Sequence, residues 1–263
     1  MTVLVGRMPG SDPGAGALVL GARLARALGG PLVVCTVTMP GERLVDESVP
    51  AVDGVEVETT AIEDRSVPGG LARAAHAHGA SVVVLGDAPP GPGSVGARLA
   101  RAADVPVALA GATTRDGPVT RVTCAFGGGR HAGRVLAAAV DLARRTGAPL
   151  RVASFGPRRG PTVPPEAGLR AEEIVVEQWR EQMVAAQRAG LTELGVGDAE
   201  TVAVAETTVE DAVAHLGWDD GEILVVGADA AGTATRVLLG DPGAAVLRTA
   251  PVPVVLTPGT TTL

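Results

Sequence analysis

The chain contains no tyrosine and no lysine, and aromatic residues make up only 2% of its 263 positions. Packed interiors must therefore be built from Val, Leu and Ala rather than from stacked rings. All 22 basic residues are arginine, which, beside the Ala, Gly and Pro richness, reflects GC-rich coding rather than a design for phosphate. No apolar run approaches the ~20 residues that a membrane-spanning helix needs. The opening "MTVLVGRMPG" enters a strand at once, with no basic stretch before an apolar one, so no export signal is expected. There are only two cysteines, Cys35 and Cys124, both inside predicted strands. They are expected to be small buried hydrophobes in a reducing compartment. Cationic surface is scarce as well: the net charge of −7 argues against whole-chain attraction to nucleic acid or to an anionic membrane. These absences together predict a cytoplasmic protein with neither nucleic acid nor membrane as partner.

What the chain does have is repetition. "LARALGGPLVV" from Leu24 reappears as "LARRTGAPLRV" from Leu142, and "VVVLG" ending at Gly86 reappears as "ILVVG" ending at Gly227. The phrase "GSVGARLARAADVPVALA" (Gly93 to Ala110) reappears as "GDPGAAVLRTAPVPVVLT" (Gly240 to Thr257). The offset between copies grows along the chain, which marks an internal duplication with insertions in the second copy. One insertion, "LRAEEIVVEQWREQMVAAQRAGLTEL", places Val176, Trp179, Met183 and Ala186 at helical spacing and predicts an amphipathic helix. The first copy has only "GERLVDESVPAVDG" at that point, too short and too broken by Pro and Gly for the same helix.

Short apolar strands alternate with helical stretches in both copies. Strands are predicted at Val3 to Val5, Leu32 to Thr38, Val55 to Thr59, Ser81 to Leu85 and Val105 to Ala110. Helices are predicted from about Gly14 to Leu28, Val67 to His78 and Ser94 to Ala103. This order implies a parallel sheet covered on both faces and joined by right-handed crossovers. The fold class is therefore α/β: two doubly wound, open, parallel, Rossmann-like sheet domains, over residues 1–112 and 119–259, joined by a polar linker. The last strands, "VPVALA" and "VPVVLT", are continuously apolar and would template aggregation if left at open edges. They are expected to pair with one another, as an intramolecular dimer about a pseudo-twofold axis. Further association into a homodimer is left open.

These closing phrases, with the opening strands and the "VVVLG" and "VVG" strand ends, resemble the universal stress protein family in its tandem form. The resemblance implies five-stranded sheets, dimerisation through the last strand and a non-catalytic binding role in stress tolerance. In nucleotide-binding members it further implies an acidic residue ending the first strand. It also implies a motif of Gly, two residues, Gly, nine residues, Gly, then Ser or Thr. Such a site suits the carboxyl ends of the first and fourth strands, where glycines admit phosphate and a helix N-terminus offers free N–H groups.

The sequence departs from that pattern in both copies. In the second, Gly227 and Gly240 are correctly spaced, but Ala230 replaces the middle glycine and Asp241 replaces the hydroxyl residue. A carboxylate there removes a donor and repels phosphate, at a cost of about 1–3 kcal/mol. Asp241 before Pro242 also suits a helix N-cap. In the first copy Gly86, Gly93 and Ser94 persist, but the intervening "DAPPGP" is short and rigid. Met8 and Gly127 stand near the places of the acidic residue. No cofactor is assigned, and ATP or another adenine nucleotide is expected at most to bind weakly at a degenerate site.

Two other readings come from "GGGRHAG". Gly127, Gly129 and Ala132 match the dinucleotide pattern G-x-G-x-x-A, with Arg158 and Arg159 after the next strand, as in an NADP-binding oxidoreductase. Alternatively, Gly128, Gly129 and Arg130 form a weak anion or nucleotide site that acts as a switch in the second crevice. No metal-spaced His/Cys set, catalytic carboxylate pair or nucleophile triad is recognisable. His76 and His78 are read as a helix end, and Trp218 as the cover of a loop.

Overall fold

The computed structural model describes residues 1–7, 15–42, 49, 51–86, 94–111, 114–127, 129, 131–157, 168–228 and 242–258. The first half runs β1 (Thr2–Arg7), α1 (Ala15–Leu28), β2 (Leu32–Thr38), β3 (Val57–Glu63), α2 (Val67–Ala77), β4 (Ala80–Leu85), α3 (Val95–Ala102) and β5 (Val107–Leu109). The second half runs β6 (Arg121–Ala125), α4 (Ala132–Thr146), β7 (Leu150–Pro157), α5 (Gly168–Glu193), β8 (Glu200–Glu206) and α6 (Val209–His215). It continues through β9 (Glu222–Gly227), α7 (Pro242–Thr249) and β10 (Val254–Thr257).

The strand order is β3-β2-β1-β4-β5-β10-β9-β6-β7-β8. Every neighbouring pair is parallel except β5 and β10, which meet antiparallel. Each half is thus a five-stranded doubly wound sheet, and the two join edge to edge, as the apolar last strands require. The seam pairs Val254 with Leu109, Val255 with Ala108 and Leu256 with Val107. Val107 and Leu109 are the sequence counterparts of Val254 and Leu256, so the pairing is self-complementary about an axis beside Ala108 and Val255. All of these seam residues are buried, which removes the aggregation hazard of two open apolar edges.

Two cores follow from strand alternation, and both cross the seam. On one face, α1, α4 and α5 cover Val3, Val5, Val84, Ala108, Val225 and Val255. On the other, α2, α3, α6 and α7 cover Leu4, Val83, Val107, Leu224 and Leu256. With so few aromatics, these interiors are filled mainly by aliphatic side chains, with Phe126 the one buried aromatic ring among the described residues.

The inserted helix forms as its spacing predicts. Its Trp179 ring packs over β7, where a Cβ on Gly156 would come within 2.7 Å of it. Only glycine allows that approach. Among the described residues between β2 and β3 there is no helix, but a turn closed by Glu42 N–H on the Met39 carbonyl and another in which Val52 and Val55 bridge. That turn displaces β3, which begins at Val57 rather than Val55. β3 also runs on to Glu63, an edge strand that exposes Glu58, Thr59, Ala61 and Glu63 and fully buries none of its residues. β5 is shorter than its apolar run, with Val105 and Pro106 leading into it.

At the amino ends of the second-half strands lies a buried ionic network. Arg151, 3% exposed, donates to the fully buried Glu222 at 2.5 Å, and through Nε to Thr123 Oγ1 at 3.0 Å. Thr123 in turn donates to Glu222. Arg151 also donates to the Gly217 carbonyl at 3.0 Å and lies 5.4 Å above the Trp218 ring. Trp218 therefore braces this network, with its indole N–H on the Val213 carbonyl at 2.7 Å, and does more than cover a loop. The first-half counterparts of Thr123, Arg151 and Glu222 are Leu4, Val33 and Ser81.

Candidate functional site

In an open α/β sheet the ligand crevice lies beyond the carboxyl ends of the strands where their order reverses. Here that happens between β1 and β4 and again between β6 and β9. Ser94 borders the first crevice. Its Oγ accepts the Ala97 N–H at 3.1 Å, and this caps α3. Gly93, with the rest of 87–93, lies outside the described residues, as does Met8. The base of the crevice holds a group the sequence pattern did not single out. Arg7, 9% exposed at the end of β1, donates to Thr36 Oγ1 at 3.2 Å, with Thr38 buried on the same strand as Thr36. The visible signal was one arginine closing an otherwise apolar strand.

The second crevice is built differently. Phe126, the counterpart of Arg7, is buried in the core under α4. Its carbonyl accepts from Ser154 Oγ at 2.7 Å, and Gln187 of α5 donates to Ser154 at 2.9 Å and to the Val202 carbonyl at 2.9 Å. Gln187 is fully buried, and its Oε1 has no hydrogen-bond partner among the described residues. The inserted helix thus contributes a polar anchor beside the crevice, hidden in the sequence because a single Gln on an amphipathic helix reads as solvated surface.

The glycines of this crevice divide by what surrounds them. A Cβ on Gly227, at the end of β9, would come within 3.1 Å of Val135 on α4, so close helix–strand packing already accounts for it. Gly127 and Gly129 differ: among the described residues a Cβ on either would meet nothing within 4 Å, and neither is among the glycines with positive φ. Nothing among the described residues demands glycine there. Gly129 N–H donates to the Gly127 carbonyl at 2.7 Å and Ala132 N–H to the Gly129 carbonyl at 3.0 Å, which turns the chain into α4. The first turn of α4 holds no acidic residue, and His131 and Arg134 contact one another beside it.

Strand, glycine turn and helix start therefore come together at Gly127, Gly129 and Ala132. Gly128, Arg130, Arg158, Arg159, Ala230, Gly240 and Asp241 lie outside the described residues. Pro242 opens α7, as expected of proline in a first helical turn. His76 stands in the last turn of α2 and His78 at its C-cap. His215 contacts the Asp211 carbonyl of its own helix at 2.7 Å. Among the described residues no group of three or more His, Cys, Asp or Glu side chains could hold a metal ion. Among them, too, no helix is long and apolar enough to cross a membrane.

Cys35 and Cys124 are buried and unpaired. Burial pushes the Cys35 thiol up to about 11 and the Cys124 thiol up to about 12, the opposite of what a reactive thiolate needs.

Comparison with known proteins agrees with this architecture. The model of the universal stress protein family matches residues 118–258. A universal stress protein of Mycobacterium tuberculosis is 35% identical over 221 residues, covering 79% of this chain and 74% of the relative, and one of Mycobacterium bovis matches equally. Among solved structures, a universal stress protein from Archaeoglobus fulgidus superimposes with a TM-score of 0.57 at 17% identity, covering 97% of this chain and 95% of the other. A putative universal stress protein from Pseudomonas aeruginosa gives 0.56 at 17% identity, covering 97% and 92%. A duplicated five-stranded module joined through its last strand, together with these matches, shows that the chain belongs to the universal stress protein family.

Proposed function

We propose that this chain is a non-catalytic, cytoplasmic stress-response binding protein, built as two domains (residues 1–112 and 119–259). Its second crevice is a degenerate nucleotide site that takes anionic ligands weakly. The observation that carries this reading is the space that the described residues leave around Gly127 and Gly129, between the end of β6 and the start of α4, whose first turn holds no acidic residue. Glycine kept where neither packing nor φ requires it leaves room for a ligand's phosphate to approach backbone N–H groups. Degeneracy is supported by Phe126 and Gly127 directly after β6, where nucleotide-binding relatives are expected to have a carboxylate. The substitutions Ala230 and Asp241 point the same way.

Calorimetric titration with ATP, ADP, AMP, cyclic nucleotides and NADP tests this. The expected result is ATP binding weaker than a Kd of about 10 μM, that is, less than ~7 kcal/mol of binding free energy. Gly127→Ala and Gly129→Ala should weaken it further without loss of folding. Tighter ATP binding would show an intact site. Preferential NADP binding with turnover of a substrate would favour the second reading, an oxidoreductase-like domain, for which Gly127, Gly129 and Ala132 sit in the required strand–turn–helix setting.

A further inference from the structure

A cavity of about 250 Å³ lies over the seam between the two halves, on the face covered by α1 and α4. Its floor is Val82, Val225 and Val255, three buried β-branched residues from both sides of the axis. Leu24 of α1 and its repeat counterpart Leu142 of α4 both line it, so it sits against the pseudo-twofold axis. Asp141 and Arg145 stand at its mouth, with Arg145 Nε on Asp141 at 2.6 Å.

A pseudo-twofold should generate this cavity twice, and at the far copy two of the lining positions carry larger, buried side chains. The counterpart of Asp141 is Arg23, a residue only 2% exposed whose guanidinium lies against Gly221 and Thr120. Thr120 is the counterpart of Met1, at the wall of the open cavity, and Gly221 that of Ala80, next to the lining residue Ser81. The counterpart of Ala138, which lines the cavity, is the larger Leu20, fully buried. The repeat therefore has side chains that close this space, uses them on one side and omits them on the other. On the open side Asp141 turns outward to Arg145 instead of inward.

The mouth chemistry is equally specific. Arg145 Nη1 donates to the Met1 thioether sulfur at 2.9 Å, a weak acceptor for a charged donor. An oxygen acceptor from a ligand head group would replace it favourably. We propose that the seam cavity binds a single-chain amphiphile, its alkyl tail over Val82, Val225 and Val255 and its oxygen head group on Arg145. A dry cavity of ~150 Å³ takes a six-carbon ring, so this one suits a tail of about ten carbons. The site is separate from both crevices and stands independently of the nucleotide reading.

Titration calorimetry of the full chain with decanoate, decanol and decylamine, each below its micelle concentration, tests the proposal. Decanoate and decanol should saturate at one per chain, and decylamine should bind at least tenfold more weakly. Ala138→Leu, which installs the residue the other half already uses, should cut decanoate affinity at least tenfold while keeping the circular dichroism spectrum. Arg145→Gln, at an exposed position, should lower the affinity for decanoate more than that for decanol. The proposal is overturned by non-saturating binding of all three, by a folded Ala138→Leu variant of unchanged affinity, or by an amine that binds as well as the acid.

Discussion

At the scale of single residues, the unusual composition makes two buried groups experimentally separable. Glu222 and Arg151 are paired out of water, and removing one partner strands the other. Glu222→Ala should cost about 3–5 kcal/mol in urea unfolding. The triple change Thr123→Leu, Arg151→Val and Glu222→Ser, which copies the first half, should cost less than that single change, because it removes both charges together. The thiols give a pH prediction. Each folded value is raised above the ordinary 9.0, so the stability the neutral thiols confer is complete below about pH 9. It is lost as the pH rises from there toward 11 and 12. With no Lys and no Tyr in the chain, no other side-chain type has its ordinary pKa in that window. Melting temperatures should fall between pH 9 and 11, and Cys35→Ala with Cys124→Ala should flatten most of that fall.

At the scale of elements, glycine substitutions separate packing from reserved space. Gly156→Ala drives a methyl group into the Trp179 ring and should destabilise the α5–β7 contact by about 1–3 kcal/mol. Gly127→Ala should change stability by less than about 0.5 kcal/mol, since its Cβ meets nothing among the described residues. Chemical denaturation of the two variants side by side checks both. Elements were legible where the pattern was strong: β2 and α5 appear almost as predicted, because a short unbroken buried run or a helical stripe decides them locally. β3 was the least legible. As an edge strand it is held by pairing with β2 over seven residues rather than by its own hydrophobicity.

At the scale of the whole molecule, the two halves share both cores, so they should unfold as one unit. Cys35 lies in the first half and Cys124 in the second, both buried. Pulse labelling of the two thiols along a urea series therefore reads each half separately in the native sequence. The labelling midpoints should coincide within experimental error, whereas halves that fold alone would give two. A charge at the seam, as in Leu256→Asp, should lower both midpoints together, because Leu256 pairs with Val107 across the junction while packing in a core common to both halves.

The sequence by itself determined the duplicated module, its strand and helix order, and the need to hide two apolar last strands. Each of these follows from local periodicity and from the cost of exposing hydrophobic edges. Arg7 at the crevice floor, Gln187 beside Phe126, and the Arg151–Glu222 pair were decided only by tertiary structure, as was the cavity left open on one side of the axis. Their partners stand far apart in the chain, and whether a polar side chain is paired, stranded or omitted depends on which neighbours the folded sheet brings within a few ångströms.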